Sequence, residues 1–117
     1  MGIFRHPVSI SRDRSGPWET FEAVVDTGAF YSWMPASVLT RLGIIPVERL
    51  PFDTADGRIV MREVGEVVMR LDGRQRVRLV VFGDEGTQPL LGADALEGFM
   101  LGVDPVHHQL VPIRGRV

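Results

Sequence analysis

The amino-acid sequence predicts an all-β fold with one or two short helices. Three observations favour this fold: apolar and polar residues alternate in several short segments, two Asp-Gly pairs are typical of hairpin turns, and only two short segments have a helical pattern. The chain has 117 residues, a length that can sustain one hydrophobic core. We therefore expect a single domain over residues 1–117.

The amino-terminal half is predicted to contain a hairpin, a helix and a strand. Segments 8–11 and 18–25 have strand patterns, and the residues between them are rich in charge, serine, glycine and proline, which predicts a broad loop. Segment 35–43 begins with proline, carries apolar residues at helical spacing and ends on glycine, which predicts the longer of the two helices. A strand is expected over 44–50, and Pro51 would end it.

The two Asp-Gly pairs are expected to form tight two-residue turns, in which both central residues have positive φ. Asp56-Gly57 would join the strands of a projecting hairpin. Asp72-Gly73 would form a second hairpin of the same kind. The strands of this second hairpin are expected over 66–71 and 77–82.

The carboxyl-terminal part is predicted to pass from a short strand into a helical turn over 89–96 and then into a last hairpin or edge strand over 103–106 and 109–112. His107 and His108 would occupy the tip of this hairpin. Because neighbouring strand residues point to opposite faces, the pair is poorly placed to bind one metal ion. A surface turn is the better interpretation.

Composition and charge restrict the classes of function. The formal net charge is −2, which gives no reason to expect binding to nucleic acid or to a membrane surface. Arg74, Arg76 and Arg78 alternate along one strand face, which is either a basic stripe for nucleic acid or a solvated sheet face, and the near-neutral charge favours the solvated face. Cysteine is absent, which excludes disulfides, thiolate metal sites and cysteine nucleophiles. No metal or organic cofactor is indicated.

Signals for secretion or membrane insertion are lacking in the sequence. The amino terminus does not have the apolar core of a signal peptide, and no apolar run approaches the length that spans a bilayer. We therefore expect a cytoplasmic protein.

Asp26 lies between a strand pattern and a glycine turn. Val24 and Val25 are β-branched and favour a buried strand, whereas an ionised carboxylate in a dry interior is costly without partners. Thr27 supplies a hydroxyl, and Gly28 permits positive φ and brings bare N–H groups close to the carboxylate. These residues suit a carboxylate that is held in place; the alternative is that Asp-Thr-Gly only closes a strand in a tight turn.

The residues that follow this turn are unusually aromatic. Segment 30–34 reads Phe-Tyr-Ser-Trp-Met, which does not suit an idle surface loop. We expect its rings to pack in the core beneath the turn.

A second apolar-apolar-Gly sequence, Leu90-Leu91-Gly92, favours the held carboxylate over the plain turn. It belongs to a faint internal repeat, in which a strand, a glycine turn, a short helix, Leu-Gly and Pro-Val follow in the same order in both halves. Asp-Thr-Gly occurs in the first half alone. We expect two related β units around one core, with the chemistry on one of them.

These motifs resemble those of retroviral-type (retropepsin-like) aspartic proteases: Val-Val-Asp-Thr-Gly-Ala over 24–29, a hairpin at 56–57, and Leu-Leu-Gly over 90–92 before a short helix. The resemblance covers about residues 8–112. It implies an all-β, closed β-barrel-like lobe with a projecting flap hairpin. It also implies a homodimer about a twofold axis, in which each chain supplies half of a site that hydrolyses peptide or protein substrates.

The resemblance further implies which residues act. Asp26, Thr27 and Gly28 would be catalytic, and a water would be activated between Asp26 of two subunits. Two carboxylates roughly 3 Å apart cannot both ionise, so one acts as the base and the other as the acid. The residues implied to bind the peptide are Ala29, Ala55, Asp56, Gly57, Arg58, Leu91 and Gly92.

Many retroviral members share alanine at position 29, whereas other members have serine there. Because that hydroxyl can stabilise the carboxylate, we expect a less acidic pH optimum here.

Other positions depart from the family's pattern. The glycines of the flap are reduced to Gly57, and no aromatic residue lies at its tip. Asp94 is interpreted as the N-cap of the second helix. Proline and glycine in segment 111–117 weaken any strand there, so the segment that forms the dimer sheet stays open.

Two other functions remain open at the level of sequence. The same fold could act as a peptide-binding or dimerisation module with proteolysis slow or lost, because Asp-Thr-Gly is necessary for catalysis without being sufficient. The chain could also be an unrelated small β-barrel with a chance Asp-Thr-Gly.

Overall fold

Six strands of the chain form a closed β-barrel. The computed structural model describes residues 3–115, and this range contains nine strands and two helices. The strands are, in chain order, β1 (Arg5–Ser11), β2 (Glu19–Val25), β3 (Ser32–Pro35), β4 (Pro46–Asp53), β5 (Ile59–Leu71), β6 (Arg74–Gly83), β7 (Leu90–Leu91), β8 (Leu101–Asp104) and β9 (Gln109–Pro112). The helices are α1 (Ala36–Arg41) and α2 (Ala93–Gly98).

Hydrogen bonding runs around the barrel in the order β1, β2, β7, β3, β6 and β5. The ring closes because β1 pairs with β2 along one edge and, through Ser9, Ile10 and Ser11, with β5 along the other. β4 extends the sheet beyond the barrel and pairs with β5, whereas β8 and β9 form a separate two-stranded sheet. The predicted all-β, barrel-like fold is confirmed.

β2 and β7, the two strands of the predicted repeat, lie side by side in the barrel. They pair in parallel, with Val24 opposite Leu90 and Val25 opposite Leu91. Because adjacent parallel strands end at the same edge of a sheet, the two glycine turns that follow them meet there.

Aliphatic side chains fill the barrel, and the α2 segment packs into the same core. Ile10, Met34 and Met69 are completely buried, and Leu96 and Phe99 belong to the same cluster. Full burial of such a side chain contributes about 1.5–3 kcal/mol relative to exposure. The core therefore holds the α2 segment against β3, β6 and β8.

The turn at Asp72-Gly73 has the predicted two-residue form. Both residues have positive φ, 51° for Asp72 and 81° for Gly73, and Leu71 pairs with Arg74 across the turn. This turn type matches the right-handed twist of the strands that it joins.

The turn at Asp56-Gly57 differs from the prediction. Of the two residues, Gly57 alone has positive φ, at 83°. The Thr54 N–H donates to the Arg58 carbonyl at 2.7 Å, and the Gly57 N–H donates to the Thr54 carbonyl at 3.0 Å. The prediction of a two-residue turn was wrong. These bonds make residues 55–57 a three-residue loop, and such a loop needs only one residue with positive φ.

β4 continues to Asp53, past the predicted end at Pro51. Pro51 lies opposite Met61 in a strand at the edge of the sheet. An edge strand tolerates a residue without an N–H on the side that faces solvent, so the proline does not end the strand.

The two helices have equal length. Each contains six residues, so the prediction that the first would be longer was wrong. Pro35, predicted to open the helix, is the last residue of β3 and the N-cap of α1. Gly43 has φ of 83° and follows the end of the helix, as predicted.

The arginine face of β6 packs in part against the α2 segment. Arg74 donates to the Phe99 carbonyl at 2.6 Å, and Arg78 donates to the Asp94 carbonyl at 3.3 Å, whereas Arg76 is exposed. The prediction of a solvated sheet face was therefore wrong for Arg74 and Arg78. The last carbonyls of a helix lack partners within the helix, and Arg74 meets such a carbonyl just after α2.

The last hairpin has the predicted second strand, whereas its first strand lies two residues earlier than predicted, at Leu101–Asp104. His107 and His108 lie in the exposed turn, as predicted, and His107 Nδ1 lies 2.8 Å from an Asp104 carboxylate oxygen. β9 ends at Pro112, and the rest of the predicted weak segment 111–117 has no strand up to residue 115; residues 116–117 lie outside the described range.

Within residues 3–115, neither helix has the length and apolar character needed to cross a lipid bilayer. The cytoplasmic location stays a prediction of the sequence.

Candidate active site

Asp26 follows the last residue of β2, at the edge where the turns after β2 and β7 meet. Val24 and Val25 before it are buried, Asp26 is half-buried, and Thr27 and Gly28 are exposed. The strand therefore carries the carboxylate from the core to the surface within one residue.

The carboxylate of Asp26 is held by the backbone of its own loop. The Gly28 N–H donates to Asp26 Oδ1 at 2.9 Å, and the Ala29 N–H donates to the Asp26 carbonyl at 3.2 Å. The Asp26 N–H donates in turn to the Leu91 carbonyl at 3.0 Å. A Cβ at Gly28 would lie 3.2 Å from Asp26 Oδ1, so glycine gives the carboxylate its room. The arrangement is the held carboxylate that the sequence predicted, although Gly28 does not have the positive φ that was expected for it.

The amino-terminal end of α2 anchors the segment after Gly28. The Ala93 N–H donates to the Ala29 carbonyl at 2.8 Å, and the Asp94 N–H donates to the Phe30 carbonyl at 2.9 Å. These N–H groups belong to the first turn of a helix and have no partner within it. The loop satisfies them and is fixed in return.

Gly92 lets the two backbones approach this closely. A Cβ on Gly92 would collide with the backbone of Phe30 and Tyr31. The Gly92 N–H donates to Ser32 Oγ at 3.0 Å, in a buried contact. Leu91 and Gly92 are buried, and their backbone atoms support the Asp26 loop. Their part in binding a peptide stays a prediction.

Asp94 does not cap α2. The N-cap is Gly92, without a side-chain hydrogen bond, and a carboxylate oxygen of Asp94 lies 3.7 Å from Arg78 Nη1. The N-cap interpretation was wrong because the first N–H groups of the helix are already used by the loop.

Three rings after the Asp26 loop form an aromatic cluster with one ring of the β4–β5 hairpin. The cluster consists of Phe30, Tyr31, Trp33 and Phe52. Ring centroids lie 5.0 Å apart for Phe30 and Tyr31, 5.6 Å for Tyr31 and Phe52, and 5.3 Å for Trp33 and Phe52, all edge-to-face. The hairpin therefore lies against the segment that follows Asp26.

The prediction that the rings of segment 30–34 pack in the core was wrong. Phe30 is 56% exposed, and Tyr31 and Trp33 are half-buried. β3 begins at Ser32, and strand alternation places Ser32 and Met34 inside the barrel, which turns Trp33 outward.

Four of the predicted peptide-binding residues form the hairpin tip and are exposed. The tip is held by its own contacts, because the Thr54 hydroxyl donates to Asp56 and Arg58 Nε lies 3.1 Å from Asp56 Oδ2. The Thr54 hydroxyl lowers the pKa of Asp56 most, and bonds from Arg58 lower it further. These four residues are Ala55, Asp56, Gly57 and Arg58.

A cleft of about 420 Å³ lies beside Asp26. Thr27 also lines this cleft, together with Phe4 just before β1 and with Val103 and Pro105 at the end of β8. A larger cleft of about 880 Å³ lies between α1 and the base of the β4–β5 hairpin, and its lining residues include none of the predicted site residues. The smaller cleft is the one that contains two of the predicted site residues, Asp26 and Thr27.

Sequence reasoning missed Ser32 and Phe52. Ser32 is 1% exposed and its hydroxyl accepts the Gly92 N–H; a serine inside an otherwise apolar run was the available signal. Phe52 is half-buried, and its neighbours along β4 are exposed. Alternation in the sequence indicated that one face of the hairpin turns inward, without showing what that face contacts.

Between residues 3 and 115, the structure gathers no group of three or more His, Asp or Glu side chains that could hold a metal ion.

The chain resembles known proteins in family and in fold. A family model described as "gag-polyprotein putative aspartyl protease" matches residues 18–98. No curated protein gives a significant sequence match. The solution structure of Simian Foamy Virus (mac) protease is similar, with a TM-score of 0.60 over 82% of this chain and 94% of that chain, at 18% sequence identity. That likeness shows a shared fold, and the family match excludes an unrelated barrel with a chance Asp-Thr-Gly.

Proposed function

Because the chain belongs to the gag-polyprotein aspartyl protease family, we propose that it is an aspartic endopeptidase whose active form is a homodimer. The observation that carries the proposal is the held carboxylate. Asp26 lies on a glycine-braced loop beside a cleft, with the Gly28 N–H on one oxygen. A carboxylate so placed can act as a general base on water.

The second carboxylate of the dyad comes from another copy of the chain. Asp-Thr-Gly occurs once in the sequence. Among the ion pairs of residues 3–115, none includes Asp26, so the chain itself offers no charged partner there. Two copies related by a twofold axis would bring the two Asp26 carboxylates together, where one would be protonated and the other ionised.

In the mechanism we propose, the ionised Asp26 takes a proton from a water molecule held between the two carboxylates. The water attacks the peptide carbonyl carbon, while the protonated Asp26 of the second copy donates a hydrogen bond to the carbonyl oxygen. The tetrahedral intermediate then collapses as a carboxyl proton passes to the leaving amine. The Gly28 N–H keeps its own carboxylate in position throughout.

The surface around Asp26 suits a second copy. Thr27 is exposed, so its hydroxyl can donate across the twofold axis. Ile3 and Val106 are 75% and 80% exposed, and Ile3 lines the same cleft as Asp26. Exposed apolar groups beside an incomplete site favour association with a partner.

The β4–β5 hairpin would serve as the flap. Its tip is exposed and held by contacts of its own, while Phe52 packs against the segment that follows Asp26. A hairpin in this place can cover a bound peptide, exclude water and pair with the peptide backbone.

A peptide-library digest tests the proposed activity. The parent is expected to cleave peptides between pH 4 and 7, and a statine-type inhibitor is expected to suppress the cleavage. Asp26→Asn removes the group that accepts the water's proton, and should lower kcat/KM by at least about 10³-fold. Cleavage that peaks only at strongly acidic pH would contradict the milder optimum expected from Ala29.

Control variants separate the two functions that the fold supports. Asp13→Asn changes a half-buried aspartate of the β1–β2 loop and should leave cleavage unchanged. Equal cleavage by the parent and Asp26→Asn would overturn the proposed chemistry. A stable dimer that binds peptides and cleaves none would instead favour the peptide-binding module.

A further inference from the structure

A row of polar side chains crosses the outer face of the barrel. Strand pairing places Ser9 between Thr20 of β2 and Arg70 of β5. Arg70 in turn lies opposite Gln75 of β6. The chain neighbours of Ser9 and of Arg70 belong to the core cluster, so strand alternation turns Ser9 and Arg70 outward. These four residues, Thr20, Ser9, Arg70 and Gln75, form the polar row.

Two guanidinium groups are held at one end of the polar row. Arg70 Cζ lies 3.9 Å from the centroid of the Trp18 ring. Arg14, in the β1–β2 loop, donates to Gln75 Oε1 at 3.0 Å. Residues directly opposite in a ladder have Cβ atoms about 5 Å apart, so Gln75 brings Arg14 close to Arg70.

Neither guanidinium has a carboxylate partner. Within residues 3–115, no ion pair includes Arg14 or Arg70. Glu22, on the same face of β2, lies opposite Pro7, one level of the sheet away from the row. Other nearby carboxylates are engaged elsewhere: Asp13 accepts the Ser15 hydroxyl at 2.7 Å, Glu19 lies 2.7 Å from Arg41, and Asp72 lies 2.8 Å from His6. Neighbouring cations without a counter-ion repel each other, and a bound anion would relieve this repulsion.

We propose that the polar row, together with Arg14, binds a phosphate monoester. Such a group carries a charge of about −1.5 to −2 at pH 7 and three strong acceptor oxygens, which match two guanidinium groups and further neutral donors. The Gln75 amide supplies N–H donors, because its oxygen is the atom that accepts from Arg14. The hydroxyls of Ser9 and Thr20 lie 2.8 Å apart, so one donates to the other and a second O–H is left for a ligand.

The charges favour a phosphorylated side chain of a partner protein over nucleic acid. Nucleic acid presents a run of singly charged phosphates, which needs a track of cations. Arg74 and Arg78 lie on the opposite face of β6 and bond carbonyls of the α2 segment, and the formal net charge of the chain is −2. Val77, two residues beyond Gln75 on the face of the row, is 47% exposed and offers apolar surface to the residues that flank the phosphate.

Titration of the ¹⁵N-labelled protein with a blocked Gly-phosphoserine-Gly peptide tests the site. The backbone amide signals of Arg70 and Gln75 should shift and reach saturation. Arg14→Gln and Arg70→Gln should each weaken the affinity at least about tenfold, because each removes a charged donor. Arg49→Gln removes an exposed arginine of β4 that also lacks an ion pair within residues 3–115, and should leave the affinity unchanged.

Three further ligands test the choice of a phosphate monoester. The serine form of the peptide, its glutamate form and a short oligothymidylate should each bind at least about tenfold more weakly than the phosphopeptide. The Asp26→Asn variant should bind the phosphopeptide as the parent does, so the result does not depend on proteolysis.

Four results would overturn the proposal. They are the absence of a saturable shift in the parent, equal affinity for the glutamate form, an equal loss of affinity in Arg49→Gln, and tighter binding of the oligothymidylate. Arg14 is exposed, and its substitution keeps the contact between Arg70 and Trp18. Arg14→Gln therefore decides the outcome even if Arg70→Gln does not fold.

Discussion

Gly28 and Gly92 determine the shape of the Asp26 loop. Gly28 donates its N–H to the carboxylate, and Gly92 brings α2 close enough for Ala93 to bond the Ala29 carbonyl. Each residue is needed for a distance that a side chain would prevent. The position of the carboxylate therefore depends on residues far apart in the sequence.

Gly92→Ala should destabilise the fold. The added methyl group meets the backbone of Phe30 and Tyr31, which cannot move without breaking the bonds from α2. We expect the free energy of unfolding to fall by about 3 kcal/mol, as for an overpacked core, in urea denaturation. Gly102→Ala meets a movable side-chain methyl of Ile113 and should cost less than about 1 kcal/mol. Equal losses in both variants would contradict the close approach.

At this scale the sequence predicted the held carboxylate and its glycine, because both are encoded by adjacent residues. The structural role of Gly92 was not predicted, because the resemblance implies only that it binds peptide. The backbone of Gly92 supports the Asp26 loop, and peptide binding by Gly92 stays a prediction. A contact between residues in two different halves of the chain leaves no local signal in either half.

The β4–β5 hairpin shows which features of a turn an Asp-Gly dipeptide determines and which it does not. The two Asp-Gly pairs are identical in sequence, yet Asp72-Gly73 forms the two-residue turn and Asp56-Gly57 does not. Thr54 makes the difference, since its hydroxyl and N–H bond Asp56 and Arg58 across the tip. The presence of a hairpin was therefore predictable from the dipeptide, whereas its loop form depends on side chains outside it.

Thr54→Val should raise the pKa of Asp56 toward its ordinary value of 3.8. The Thr54 hydroxyl stabilises the ionised carboxylate in the folded hairpin, so this contribution is present above the ordinary pKa and is lost as the pH falls through the lowered one. NMR titration of the Asp56 carboxyl carbon measures the change. Thr40→Val on α1 is the matched control and should leave the titration of Asp56 unchanged. The same midpoint in the parent and in Thr54→Val would contradict the capping role of the hydroxyl.

The closed barrel emerges only from the whole chain. Local patterns predicted most strands, because alternation and turn residues are encoded within a few positions. Closure depends on β1 pairing with β5 and on parallel pairing of β2 with β7, which join distant segments. A closed barrel was expected from the family resemblance and not from any local pattern, and these particular pairings were not predicted. The aromatic rings after Asp26 were misplaced for the same reason, since their outward direction follows from where β3 begins.

The dimer is the level at which the proposed site becomes complete. One chain supplies one Asp-Thr-Gly, and the exposed Thr27 and the cleft beside Asp26 suit a second copy. Catalysis by a shared dyad then requires that both copies in a dimer carry Asp26.

A subunit-mixing series measures this requirement most directly. Parent and Asp26→Asn chains would be unfolded together, refolded at varied ratios and constant total concentration, and assayed for cleavage of one peptide. If each active site needs Asp26 from both chains, activity falls with the square of the parent fraction, to about one quarter in an equal mixture. Activity that falls in direct proportion to the parent fraction, to about one half, would show that each chain works alone and would contradict the shared site.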